Sequence, residues 1–165
     1  MKKLFSITLT TLLVLFASQA FGQETADVTV EAEILDQLNV TAERDIDFGN
    51  ISAGSNASID AQDDESGKVS INGAGNAGVL ISAATQIVLS GPNDNDINVP
   101  LFYRGLDNDN QGGSNELNFT SDEEEVTLHE TTGDFFLWIG GDFETETTDA
   151  TGSYSGSVTV EVQYL

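Results

Sequence analysis

The chain has 165 residues, no cysteine, and 28 acidic residues against five lysines and arginines, which gives a net charge of −23. The lack of cysteine excludes disulfide bonds and cysteine nucleophiles. The negative charge argues against nucleic acid and anionic membrane surfaces as partners, because both are bound through basic patches.

The first 22 residues have the pattern of a secretory signal peptide. Two lysines precede an apolar run over residues 4–16, and small residues follow up to Gly22. The run is too short for a comfortable membrane span. We therefore predict cleavage after Gly22, export to the periplasm, the cell surface or the extracellular space, and one mature domain over residues 23–165.

The mature chain is the more acidic part of the protein. Loss of two lysines with the signal leaves Arg44, Lys68 and Arg104 against 28 acids, a net charge of −25. Repulsion of this kind is nearly screened at high salt, where the Debye length falls to about 3 Å at 1 M. The composition favours a surface adapted to saline surroundings, and cation binding is the alternative interpretation.

No segment of the mature chain has a helical period. Short alternating or continuous apolar stretches are instead separated by turns of Gly, Asn, Asp and Ser, which is typical of an all-β sandwich or barrel. We predict about ten strands in one domain. The stretches are residues 28–34, 38–40, 46–48, 57–61, 69–71, 79–83, 86–91, 97–105, 117–119, 126–128, 134–144 and 154–164.

The first stretch has the spacing of an amphipathic strand. Val28, Val30, Ala32 and Ile34 occur at every second residue, and acidic residues and threonine lie between them. This spacing puts four apolar side chains on one face of a strand. The segment is therefore predicted to cover an apolar surface.

Two acidic loops in the middle of the chain suggest calcium. Asp94 and Asp96 lie in one loop, Asp107 and Asp109 lie in another, and oxygen-rich loops suit Ca²⁺. The second loop does not fit the EF-hand pattern, since Asn118 stands where the bidentate glutamate belongs. Solvated Asn- and Asp-rich turns are the competing interpretation.

The stretch at residues 134–144 is apolar on both faces. A single core covers only one face of a strand, so we expect a loop or a second subunit to cover the other. A double glycine, Gly140 and Gly141, predicts a bulge. Aromatic residues near this strand either pack inside the protein or stack on sugars. They are Phe102, Tyr103, Phe136 and Trp138.

The last stretch gives the clearest strand signal. Tyr154, Val158, Val160, Val162 and Tyr164 share one face, and polar residues occupy the other. The apolar face needs a core, and the backbone needs neighbouring strands. The identity of those neighbours is therefore a functional question.

Three stretches carry a resemblance to known proteins. They are "DIDFGNISAG" at residues 45–54, "LWIGGDF" at 137–143, and "GSYSGSVTVEVQY" at 152–164. Together they resemble the bacterial family called domain of unknown function 4402, and more distantly spore coat protein U domains and chaperone–usher pilins. The resemblance covers residues 26–165. It implies an immunoglobulin-like β-sandwich exported by Gram-negative bacteria, and the distant relatives form surface fibres.

The pilin resemblance implies a role for the first stretch. A pilin sandwich lacks one strand, and the N-terminal extension of a neighbouring subunit fills the gap. Residues 23–37 would be that extension here, with Val28, Val30, Ala32 and Ile34 entering a groove. Terminal strands usually close within their own domain, so completion of its own sandwich, beside Val158, Val160 and Val162, is the first interpretation and donation the second.

The sequence favours a protein without enzymatic activity. His129 is the only histidine, and a chance pair of carboxylates carries no weight among 28 acids. We predict no catalytic residue and no cofactor, calcium excepted. The leading hypothesis is a secreted or cell-surface structural or adhesion protein that associates with itself or with another surface protein. The alternatives are a binding module for Ca²⁺ or polysaccharide and, last, a hydrolase.

Overall fold

The strands are short and lie close together in the chain, as the alternating pattern predicts. The computed structural model describes residues 34–165, which form ten strands and two short 3-10 turns. The strands are β1 (Asn39–Arg44), β2 (Asn56–Ile59), β3 (Gly67–Asn72), β4 (Gly78–Ala83), β5 (Gln86–Ser90), β6 (Asp96–Leu106), β7 (Asn115–Leu117), β8 (Glu123–Thr127), β9 (Asp134–Glu144) and β10 (Val160–Tyr164).

These strands form two antiparallel sheets. The seven-stranded sheet has the order β1-β3-β9-β6-β5, with β2 paired to β9 and β7 paired to β6. The three-stranded sheet has the order β10-β4-β8. The prediction of an all-β, immunoglobulin-like antiparallel sandwich of about ten strands is confirmed.

The core lies between the two sheets and follows the period-2 pattern of the strands. Leu137 on β9 and Val79 and Ile81 on β4 are fully buried, because alternate side chains point to the same face. The other apolar side chains of these strands pack around them. Within the described residues, no helix is long and apolar enough to cross a membrane.

The outer face of β9 is covered by two loops of the same chain, the first over residues 60–66 and the second over residues 107–114. Gly140 leaves room for the first loop, since a Cβ there would lie 2.3 Å from the Ile59 carbonyl oxygen. Gln111, in the second loop, donates to the Ala61 carbonyl at 2.9 Å and links the two loops. Trp138 is consequently 1% exposed. The sequence analysis expected either a loop or a second subunit to cover this face. In the structure, loops of the same chain cover it.

All three lysine and arginine residues within residues 34–165 hold these two loops. Arg44 donates to the Ser66 backbone and side chain in the first loop, and Arg104 donates to Ser114 at the end of the second. Lys68 lies 2.9 Å from Asp109, in the second loop. The few positive charges are therefore used inside the domain.

Three local predictions are wrong. The stretch at 46–48 forms no strand, and the register between β6 and β9 runs through Gly140 and Gly141 without a bulge. The final strand begins at Val160, not at Tyr154. Tyr154 leaves the alternating pattern because its ring packs against Phe143, at 6.2 Å between centroids, and its hydroxyl donates to the Ala150 carbonyl at 2.8 Å.

Candidate functional site

A groove opens between the two sheets, and it runs across the inner face of the seven-stranded sheet from β1 to β5 and reaches β10 at Val160. Its volume is about 820 Å³. The lining comes from β1, β3, β5, β6 and β9 of the seven-stranded sheet and from β10 of the three-stranded sheet. Its apolar side chains include Val40, Ala42, Ile46, Phe48, Ile87, Leu89, Val158 and Val160.

One edge of β10 has no partner strand within residues 34–165. On the other edge, the Leu165 N–H donates to the Gly78 carbonyl at 3.1 Å. Antiparallel residues alternate between hydrogen-bonded and non-hydrogen-bonded pairs, so every second residue before Leu165 also points its backbone at β4. The backbone groups of Val160, Val162 and Tyr164 therefore point out of the free edge.

Apolar side chains on β1 and β10 are only partly covered. Val40 on β1 is 41% exposed, and Val160 and Val162 on β10 are half-buried. On the adjacent strand β4, Val79 and Ile81 are 0% exposed. Within residues 34–165, coverage of the core therefore ends at β10, and no strand pairs with its far edge.

The described chain begins beside the C-terminal end of β10. The Tyr164 hydroxyl donates to the Asp36 carbonyl at 2.7 Å and accepts from the Ala74 N–H at 2.7 Å. The side chains before Asp36 are apolar and uncovered, since Leu35 is 41% and Ile34 is 96% exposed. Asp36 therefore lies beside the Tyr164 side chain, at the end of β10.

The segment after β1, residues 45–51, also lines the groove. Phe48 packs on Phe143, with 5.6 Å between ring centroids. Gly49 adopts φ +68°, a backbone conformation that favours glycine, and its N–H donates to the Asp47 carboxylate at 2.8 Å. The Phe–Gly motif read in the sequence thus marks a turn at the groove, not the end of a strand.

The opposite edge of the three-stranded sheet is acidic. On β8, Glu124 lies across from Ile81 and shares its inward face, and Glu123 and Glu125 point outward. A charge that points inward on an edge strand opposes the addition of another strand. The inward-facing residues of β10 are apolar by contrast, so the two edges of this sheet differ in their capacity to accept a strand.

The structure tests the placement of the predicted assembly residues only in part. Val160 and Val162 lie on β10, Val158 lies just before it, and all three pack against the core cluster. Ile34 belongs to no strand. The other three predicted residues, Val28, Val30 and Ala32, lie outside the described residues.

The four aspartates predicted as calcium ligands lie near the two ends of β6. Asp94 and Asp96 lie at the start of β6, and Asp107 and Asp109 follow its end. Within the described residues, no group of three or more acidic or histidine side chains could hold a metal ion. Calcium binding stays a prediction without support from this geometry.

Asp109 belongs to an ion-pair cluster around Lys68. The Lys68 ammonium lies 2.7 Å from Glu43, 2.9 Å from Asp109 and 4.9 Å from the centroid of the Phe136 ring. A hydrogen bond from Lys68 lowers the pKa of Glu43. Burial acts to lower the pKa of Lys68, but the bonds to Glu43 and Asp109 outweigh it and raise that pKa. The cluster thus holds the second loop on the sheet.

The predicted sugar-stacking residues do not form one exposed platform. Tyr103 and Trp138 are buried, and the Tyr103 hydroxyl donates to the Ala84 carbonyl at 2.5 Å. Burial raises the pKa of Tyr103. Phe102 keeps a partly exposed ring, and Phe136 stacks beside Trp138 at 6.1 Å. These aromatic residues mainly serve packing.

Several groove residues were not singled out from the sequence. Val40 and Ala42 had the alternating signal of an ordinary strand, and nothing in that signal says that their face stays open. Ile87 and Leu89 lie on β5, in a short run that is apolar on both faces. Only the pairing of distant strands reveals which edges remain free.

A scan against protein-family models finds one match over residues 38–164, to the family described as "Domain of unknown function (DUF4402)". The match spans most of the chain, so the chain belongs to this family. Among curated proteins, none matches the chain. The distant likeness to spore coat protein U domains and to pilins is not tested by this match and stays a prediction.

Proposed function

We propose that this member of the DUF4402 family is an exported, non-enzymatic structural subunit of the cell surface or extracellular space, whose sandwich is completed by an added β-strand. The observation that carries the proposal is the edge of β10 that no strand of residues 34–165 pairs with, together with the groove that reaches this edge at Val158 and Val160. Strand addition to an open edge is a recurrent mode of protein recognition.

The backbone of β10 supplies the affinity that strand addition needs. Val160, Val162 and Tyr164 direct N–H and C=O groups out of the sheet, and a new strand satisfies them through ladder hydrogen bonds. Each such bond contributes about 0.5–1.5 kcal/mol net. Specificity comes from the side chains that enter the groove at every second residue.

The apolar lining favours a strand over a reacting small molecule. Each Val or Ile side chain that becomes fully buried contributes about 1.5–3 kcal/mol. The half-buried face formed by Val158, Val160 and Val162 gains cover in the same step. The predicted signal peptide supplies the route to the cell surface, where structural subunits assemble.

The test compares two variants of the full mature chain, residues 23–165. Val30→Asp puts a charge on the apolar face of the N-terminal segment, and Thr29→Asp puts the same charge on its polar face. We expect Val30→Asp to lower Tm and Thr29→Asp to leave it close to that of the parent. Added peptide of residues 26–36, in 0.5 M NaCl, should then restore the Tm of Val30→Asp.

The size of the rescue follows from binding linkage. At a peptide concentration of about 100 times Kd, the native state gains about 2.7 kcal/mol, which raises Tm by roughly 5–10 °C for a domain of this size. The control peptide carries Val30→Asp and should give no rise. Equal Tm values for both variants, with no response to either peptide, would contradict strand completion.

A further inference from the structure

We infer that the strand which fills the groove is residues 28–34 of a second copy of this chain, and that it runs antiparallel to β10. This inference rests on the proposed function and names the partner of its groove. The carrying observation is the position of Asp36, which is held beside the C-terminal end of β10 by the Tyr164 hydroxyl.

The segment and the edge of β10 match in length and in phase. Four apolar side chains of the segment lie at every second residue from Val28 to Ile34, and four on the edge lie at every second residue from Val158 to Tyr164. Both sets span seven residues, or about 20 Å. If residues 28–34 form a strand with these four side chains facing inward, the backbone N–H and C=O groups of the same four residues point at the free edge of β10.

The position of Asp36 fixes the direction that the chain's own segment would have to take. Asp36 lies beside Tyr164, so residues 28–34 of the same chain could follow β10 only from its start toward Tyr164. That direction is parallel to β10. Only residues 35–37 separate the segment from Leu38, which packs against the core. Three residues are too few to let the chain's own segment run along β10 in the opposite, antiparallel direction.

A parallel strand would depart from the rest of the fold. All eight strand pairs within residues 34–165 are antiparallel. Parallel pairs are slightly less stable per residue, and purely antiparallel sheets are favoured over mixed ones. A segment that arrives from another molecule is free to enter in the antiparallel direction.

A hairpin with β1 is the other arrangement open to the chain's own segment. Such a hairpin would need a closing backbone hydrogen bond between the residues just before and just after its turn, near Ile34 and Asn39. Within the described residues, Ile34 to Leu38 make no backbone hydrogen bond to β1. Ile34 is 96% exposed and belongs to no strand.

The shared two-residue spacing of the apolar side chains defines a register between residues 28–34 and residues 158–164. With all four apolar side chains of the segment opposite the four on the edge, Ala32 faces Val160 and Val30 faces Val162. On the outer face, Thr29 then lies opposite Gln163 in a non-hydrogen-bonded pair. The Cα atoms of such a pair are about 4.5 Å apart, within the range that a disulfide bridges.

The test uses this register and a chain that has no cysteine of its own. Two mature chains of different tag length, one with Thr29→Cys and one with Gln163→Cys, are refolded together and mildly oxidised. We expect a shift from monomer to a disulfide-linked dimer that contains one chain of each length. Val30→Asp in the Thr29→Cys chain should remove this dimer, because the segment then cannot enter the groove.

A second pair of variants reports the alternative direction. A parallel strand with Ile34 beside Tyr164 would place Glu33 next to Gln163, so a single chain with Glu33→Cys and Gln163→Cys would close an internal disulfide and remain monomeric. That result would overturn the inference and leave the proposed function intact. A mixed dimer that persists with Val30→Asp would reflect random collisions and would overturn it equally.

Failure of the proposed function has a different signature. In that case Val30→Asp would not change Tm, and the peptide of residues 26–36 would not bind. If the peptide rescues Val30→Asp while the tagged chains form no mixed dimer, strand completion holds and the second copy is not its source.

Discussion

At the scale of single residues, Gly140 was correctly singled out from the sequence as structurally important, but the structural reason given for it was wrong. The double glycine on β9 predicted a bulge, yet the register with β6 is continuous there. Gly140 instead lets residues 59–61 approach the sheet, with the Ala61 nitrogen 2.6 Å from the position of a Cβ. The sequence could not separate these causes, because the approaching loop is about 80 residues away in the chain.

This contact predicts a large cost for one methyl group. Gly140→Ala should destabilise the domain by about 2–3 kcal/mol, since the new Cβ meets backbone that cannot move aside easily. Gly112→Ala is the matched control, because a Cβ at Gly112 meets nothing within 4 Å, and it should change stability by less than about 0.5 kcal/mol. Urea unfolding of both variants measures the difference. Equal stabilities would mean that residues 59–61 do not lie over β9 in solution.

At the scale of elements, the period-2 pattern predicted most of the strands but not their edges. Val69 and Ile71, Val79 to Ala83, and residues 134–144 lie in strands where the pattern placed them. The final strand is shorter than predicted because Tyr154 packs on Phe143. Pairing is a relation between distant segments, so the open edge of β10 could not be predicted from its own residues.

The two edges of the three-stranded sheet show what the sequence does contain. The acidic run on β8 was visible, and so was the apolar face of β10. Only the sheet order shows that β8 and β10 are the two edge strands of this sheet within residues 34–165. Glu124 then protects one edge, while the other edge offers Val160 and Val162 to an incoming strand.

At the scale of the whole molecule, the charge opposes the assembly that the groove favours. The chain carries a net charge of −23, or −25 after the predicted cleavage, and two copies therefore repel each other. The proposed register adds a local cost, because it sets Glu31 opposite Glu161 on the outer face. Salt screens both terms, with a Debye length of about 30 Å at 0.01 M and about 3 Å at 1 M.

Association should therefore strengthen as salt is added, contrary to the usual behaviour of charged interfaces. We expect the association constant of the mature chain to rise by about tenfold or more between 0.01 M and 1 M NaCl. Sedimentation equilibrium measures it directly. Glu31→Gln should reduce the dependence on salt by removing one repulsive pair. A constant that falls with salt would contradict the proposed contact.

The most direct test of strand completion is amide hydrogen exchange along β10. In the mature chain, the N–H groups of Val160, Val162 and Tyr164 should exchange about 100-fold more slowly than in Val30→Asp, at subunit concentrations near 100 times Kd. The N–H groups that face β4, such as that of Leu165, should stay slow in both chains. Identical exchange of the first three groups in both chains would show that no added strand depends on residues 28–34.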